Sequence, residues 1–235
     1  MTLSHQQKIA ACVLALYWPV LFVLTHVPIP RVVREADVAD KTLHFLTYLI
    51  LAFLLWSVVG GNRKVDWCRA KPWLVLFVIV LYGVLDELLQ GYVAGRSSDI
   101  RDFFSDLAGA VVGLILSSFL TFWPAGLVVM ATFIFGITNV TRTSLADLLP
   151  VTNAIFNLLA YAVLTVLWIQ CTHLFAAKAT KAKWLILAVA GPTGFLIIVK
   201  LSSIIAGKDF AISDIFFAFG AIAAVAIGFY IRRSP

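Results

Sequence analysis

Asp86 and Glu87 stand side by side inside an apolar run, with Gln90 four residues after Asp86 on the same helical face. His44 opens another apolar run, four residues after Asp40 and three after Lys41, and Tyr48 follows it at i+4. A short polar segment, Ala94-Gly95-Arg96-Ser97-Ser98, leads to Asp99, Asp102 and Asp106, which form one stripe at the start of a further run. Carboxylates in different environments acquire separated pKa values and divide into a general acid and a general base. A histidine can take either role. His44, Asp86, Glu87, Gln90 and Asp106 are therefore the candidate catalytic residues. Lys41, Arg96 and Arg101, whose cations suit a phosphate, together with Tyr48, Asp99 and Asp102, are the candidate substrate contacts. A His/Asp/Glu cluster can also hold a divalent cation, but the linear spacing matches no metal signature, so no metal is assigned. Ser97 and Ser98 have no neighbouring base and make no convincing nucleophile. The same polar groups would also serve as an interhelical hydrogen-bond network with no chemistry.

These residues need elements to position them, and the composition says which. Of 235 residues 62% are hydrophobic and 13% charged, too apolar for a soluble domain. Secreted enzymes, nucleic-acid binders and disordered chains are excluded. Apolar stretches fall at about 9–26, 42–60, 73–94, 102–122, 126–140, 152–172, 184–205 and 210–231. Most reach the ~20 residues that span a bilayer. The chain thus reads as an all-α polytopic membrane protein of about eight helices. Pro19 predicts a kinked first helix rather than a cleaved leader. Trp123-Pro124-Ala125-Gly126 predicts a minimal loop before a short fifth span.

Eight spans place both termini on one side. That side collects ten basic residues and one acid, Asp66; the other side collects eight basic and eleven acidic residues. The basic excess assigns the termini to the cytoplasm. Six of the tryptophans, Trp56, Trp67, Trp73, Trp123, Trp168 and Trp184, fall near the same side, as an interfacial belt does. The acidic residues, and with them the polar motif, lie on the extracytoplasmic side, which makes Ser97 extracytoplasmic and Cys68 cytoplasmic. Cys12 and Cys171 lie towards the cytoplasmic side, so no disulfide is expected.

A shift of 112 residues lays Leu89–Phe104 over Leu201–Phe216 with six identities in sixteen positions, including Gly95/Gly207 and Asp102/Asp214. The same shift aligns Trp56 with Trp168. The expectation is a parallel 4+4 internal duplication with a pseudo-two-fold axis along the membrane normal, divided as 1–122 and 123–235. The second unit lacks most of the first unit's polar groups: Phe156 stands for His44, Ile198 for Asp86, Val199 for Glu87 and Ala218 for Asp106. Lys200, deep in the seventh span, must snorkel outward or pair with Asp86, Glu87 or Asp214.

Four blocks carry a resemblance: Asp40-Lys41-x-x-His44-Phe45-x-x-Tyr48, Asp86-Glu87-x-x-Gln90, Gly95-Arg96-x-x-Asp99-Ile100-x-Asp102, and Asp106-x-x-Gly109-Ala110-x-x-Gly113. In order, spacing and placement, roughly residues 20–120 resemble the VanZ family of bacterial membrane proteins. Where many members have Asn, this chain has Asp106. The family is named for low-level resistance to teicoplanin, so the resemblance implies a bacterial inner-membrane protein that affects the cell surface. It implies no settled reaction. Two functions stay open: a membrane enzyme acting on a lipid-linked, phosphate-containing envelope component, and a non-enzymatic lipid or glycopeptide binder or proton-coupled transporter. The expected partner is a membrane lipid or lipid-linked envelope precursor; no nucleic acid and no cofactor is expected. Asn139-Val140-Thr141 fits a glycosylation sequon by chance.

Overall fold

Ser4 caps the first helix reciprocally, its hydroxyl accepting from the Gln7 N–H while the Gln7 side chain accepts from the Ser4 N–H, so the helix starts before the apolar run does. The computed structural model describes residues 3–27, 40–94, 96, 98–140, 150–176, 180–208 and 211–232. Gly95, Ser97 and Thr141 of the motifs above lie outside them. The described residues form α1 (His5–His26), α2 (Asp40–Gly60), α3 (Ala70–Gln90), α4 (Ile100–Phe119), α5 (Phe122–Val140), α6 (Pro150–Ala176), α7 (Lys181–Ile205) and α8 (Ile212–Arg232). All eight are long and apolar enough to cross a bilayer. The protein is an all-α polytopic membrane protein.

Two of the differences from the boundaries read in the sequence have clear local causes. Trp123-Pro124-Ala125-Gly126 is the first turn of α5, not a loop: Ala125 N–H bonds Thr121 O at 2.9 Å, and Asn62 accepts the Phe122 N–H at 3.1 Å. Proline costs nothing in a first turn, where its missing N–H has no helical partner. α3 ends at Gln90 instead of running to 94, because the chain turns there: Tyr92 N–H bonds Leu89 O and Val93 N–H bonds Gln90 O. Asp86 therefore lies within about 6 Å of the helix end, roughly half the depth that the longer span implied.

The chain divides into two compact units inside α5, one ending at Val129 and the next beginning at Met130. Phe122, Ala125 and Val129 pack with Ala10, Leu49, Phe53 and Leu54 in the first unit. In that unit α2 is the central helix, touching α1, α3 and α4. It buries Leu46, Tyr48, Leu49, Leu51, Ala52 and Trp56, residues on all its faces, as a helix surrounded by others must.

α4 reaches α2 through glycines. A Cβ on Gly109 would overlap the Phe45 carbonyl oxygen, and one on Gly113 would sit 2.9 Å from Leu49 O and 3.0 Å from Ala52 Cβ. The small residues let the two backbones approach as no side chain would allow.

In the second unit α6, α7 and α8 pack on one another. Lys200 Nζ donates to Asp214 Oδ2 at 2.9 Å, with the two side chains 8% and 9% exposed, so of the partners foreseen for Lys200 the structure gives Asp214. Asn153 donates to the other Asp214 oxygen. Cys12, Cys68 and Cys171 are free.

Gly109→Ala should therefore destabilise the protein by about 1–3 kcal/mol or more, the cost of forcing a methyl into a packed interface. Gly220→Ala, with open space around its Cβ, should be neutral or slightly stabilising. Thermal unfolding of the purified protein in detergent measures both; equal unfolding temperatures would remove the close approach as a determinant of the fold.

Candidate functional site

Four helix ends meet at one end of the first unit: the C-termini of α1 and α3 and the N-termini of α2 and α4. Each brings polar groups because helix ends leave backbone groups that need partners and stand close to water. Asp99 caps α4, accepting the Arg101 N–H at 2.9 Å. One turn and two turns further in, Asp102 and Asp106 point to the same side, where Gly109 has brought α4 against α2. On α2, Lys41, His44 and Tyr48 occupy the facing stripe.

Three groups of contacts result. At the surface, Lys41 Nζ lies 3.2 Å from Asp99 Oδ2 and 3.0 Å from Asp102 Oδ1. The Asp99 carboxyl is held below the usual carboxylate range, first by its bond from the Arg101 N–H and then by the Lys41 ammonium. Below this pair, His44 Nδ1 and Asp106 Oδ1 are 2.9 Å apart, with the His44 side chain 6% and that of Asp106 2% exposed. His44 Nε2 faces the exposed Asp40, 3.9 Å away. Glu87 is buried beside them and accepts the Asp99 N–H through Oε2 at 3.1 Å. Towards α1, Asp86 accepts the Thr25 hydroxyl at 2.9 Å and the Gln90 amide at 2.7 Å, with His26 Nδ1 3.7 Å away.

The structure thus brings together His44, Glu87 and Asp106, sets Asp86 with Gln90 next to them, and links Lys41 to Asp99 and Asp102. Tyr48 is buried, and the carboxylates of Asp106, Asp86 and Glu87 are its charged neighbours. Arg101 is exposed beside Asp99. Arg96 goes elsewhere: its guanidinium donates to Leu24 O at 2.8 Å and Val27 O at 3.3 Å, closing the C-terminus of α1. That use follows from the free carbonyls at a helix end and removes Arg96 from the group facing His44. Thr25 was missed in the sequence. A lone threonine at the end of an apolar helix gives no signal until the fold sets it against Asp86.

The arrangement can move protons. Asp106 fixes the His44 ring through Nδ1, and the other ring nitrogen, Nε2, faces the exposed Asp40, so a proton held on the imidazole has a route towards the surface. Double-mutant cycles on His44→Ala and Asp106→Ala should give a coupling of about 1–3 kcal/mol in unfolding free energy. Additive effects would disconnect the pair.

Comparison with curated proteins and with solved structures returns no match. A family model does match: VanZ/LLP1, over residues 5–123. The matched segment is half of the chain and contains all four helix ends of the cluster. This all-α membrane protein belongs to the VanZ/LLP1 family.

Proposed function

We propose that the protein is an inner-membrane enzyme of the bacterial envelope that acts from the extracytoplasmic face on a lipid-linked, phosphate-containing substrate. The observation that carries this reading is the buried His44–Asp106 pair, 2.9 Å apart, with Nε2 turned outward. A buried polar pair of this kind costs desolvation and repays it where a proton must be held in one place. In the reaction, a water or hydroxyl at Nε2 gives its proton to His44 as its oxygen bonds to phosphorus. The bond from phosphorus to the leaving oxygen breaks, and that oxygen takes a proton from a neighbouring carboxylic acid. Lys41 and Arg101, at the mouth of the cluster, meet the phosphate charge. The family's link to teicoplanin fits a substrate among envelope precursors.

The second reading, a binder or proton-coupled transporter, is favoured by one observation. The positions of Lys41 and Asp102 recur at a shift of 112 as Asn153 and Asp214, and both pairs are hydrogen-bonded. α4 and α8 also begin at residues related by that shift, Ile100 and Ile212. These correspondences support a parallel 4+4 duplication that has kept a buried polar group in each half, as a symmetric transporter would.

Phosphate release from polyprenyl-phosphate lipids in vesicles containing the protein separates the two. The enzyme reading expects turnover that His44→Gln lowers by about a hundredfold or more at unchanged protein level. Lipid bound without turnover would favour the binder. Orientation has its own test: in whole cells, a cysteine replacing the exposed Ser98 should react with an impermeant thiol reagent and the exposed Cys68 should not. Labelling of Cys68 alone would invert the topology.

A further inference from the structure

We propose that His44, Glu87 and Asp106 bind one divalent transition-metal ion, zinc or manganese. The three residues come from the start of α2, the end of α3 and the start of α4, and one donor atom of each lies within 4.8 Å of the others. Three donors around an ion at bond lengths of about 2.0–2.2 Å stand roughly 3–4 Å apart, so small side-chain rotations close the site.

Burial and hydrogen bonding give the independent reason. Glu87 is 5% exposed and Asp106 1%, yet Glu87 Oε1 and Asp106 Oδ2 have no hydrogen-bond partner among the described residues. Asp106 Oδ2 is turned towards Gly83 on α3, where a Cβ would lie 3.6 Å from it and 3.5 Å from Tyr48 Cε1. The Tyr48 hydroxyl, on a side chain 1% exposed, is likewise without a partner. Among the described residues no Lys or Arg forms an ion pair with Glu87 or Asp106; the nearby Lys41 ammonium is held by Asp99 and Asp102. Two buried carboxylates facing one imidazole, each with an unsatisfied oxygen, are costly alone and are what a cation satisfies.

The donor set chooses the class of ion. An imidazole nitrogen with two carboxylates suits zinc or manganese, whereas magnesium prefers oxygen ligands and keeps its waters. Such an ion would act as a Lewis acid on a phosphate oxygen. The inference rests on the cluster being the functional site, as in the proposed function, but makes His44 a ligand instead of a free base.

The full chain, purified in detergent and stripped with EDTA, is dialysed against zinc or manganese chloride, and bound metal is measured by mass spectrometry. One ion per chain is expected, with a rise in unfolding temperature that grows with metal concentration. Glu87→Gln, which keeps the acceptor for the Asp99 N–H, should weaken binding by about tenfold or more and abolish the temperature rise. If it does not fold, Asp106→Asn takes its place. No uptake of either metal overturns the proposal, as does equal uptake by the folded variant, which would put the ion at another group. Because no lipid is present, failure here leaves proton transfer by His44 standing. A bound metal with no lipid turnover removes the enzymatic reading and keeps the site.

Discussion

The close approach of α4 to α2 at Gly109 and Gly113 is the constraint on which the site depends. With hydrogen at those two positions, the α4 backbone lies against the carbonyls of Phe45 and Leu49. Asp106 sits one turn before Gly109 and His44 one residue before Phe45, so the 2.9 Å bond between them follows from where the backbones touch. A lipid bilayer supplies no hydrophobic force to press two helices together. Contact has to come from surfaces that fit and from polar groups that meet. Here the glycines supply the fit, and the carboxylate and imidazole meet one turn along.

The polar groups are placed at helix ends for electrostatic reasons as well as steric ones. Asp40, Asp99 and Asp102 occupy the N-terminal turns of α2 and α4, where the helix dipole favours negative charge. Asp99 uses both effects, capping α4 while accepting Lys41. Arg96 answers the opposite polarity at the C-terminus of α1, donating to two of its last carbonyls. The outer groups thus neutralise one another, and the inner group, His44, Glu87 and Asp106, keeps unsatisfied oxygens.

The second half solves burial of charge differently. Asp214 receives Lys200 on one oxygen and Asn153 on the other, so both lone-pair faces are met. A satisfied ion pair of this kind holds helices together; an unsatisfied cluster invites a ligand. The contrast lies within one chain and on helices of similar length and composition.

The sequence by itself determined the class of the protein. Long apolar runs leave no other way to satisfy backbone hydrogen bonds in a bilayer than helices, so eight helices were legible from hydropathy alone. The candidate residues were legible too, since ionisable side chains in apolar runs stand out. Helix boundaries were less so: Pro124 reads as a loop until its place in a first turn is seen, and α3 stops at Gln90 because of turn bonds that no periodicity reports. The grouping within the site belonged to the tertiary structure alone. Arg96 and Arg101 look alike in the sequence, yet the fold gives one to the carbonyls of α1 and leaves the other exposed near Asp99. His44, Glu87 and Asp106 are far apart in the chain and match no linear metal spacing, yet they converge within 4.8 Å. The physical reason is that hydropathy and spacing act along one helix, whereas donor atoms on three helices are brought together only by the distance at which those helices pack.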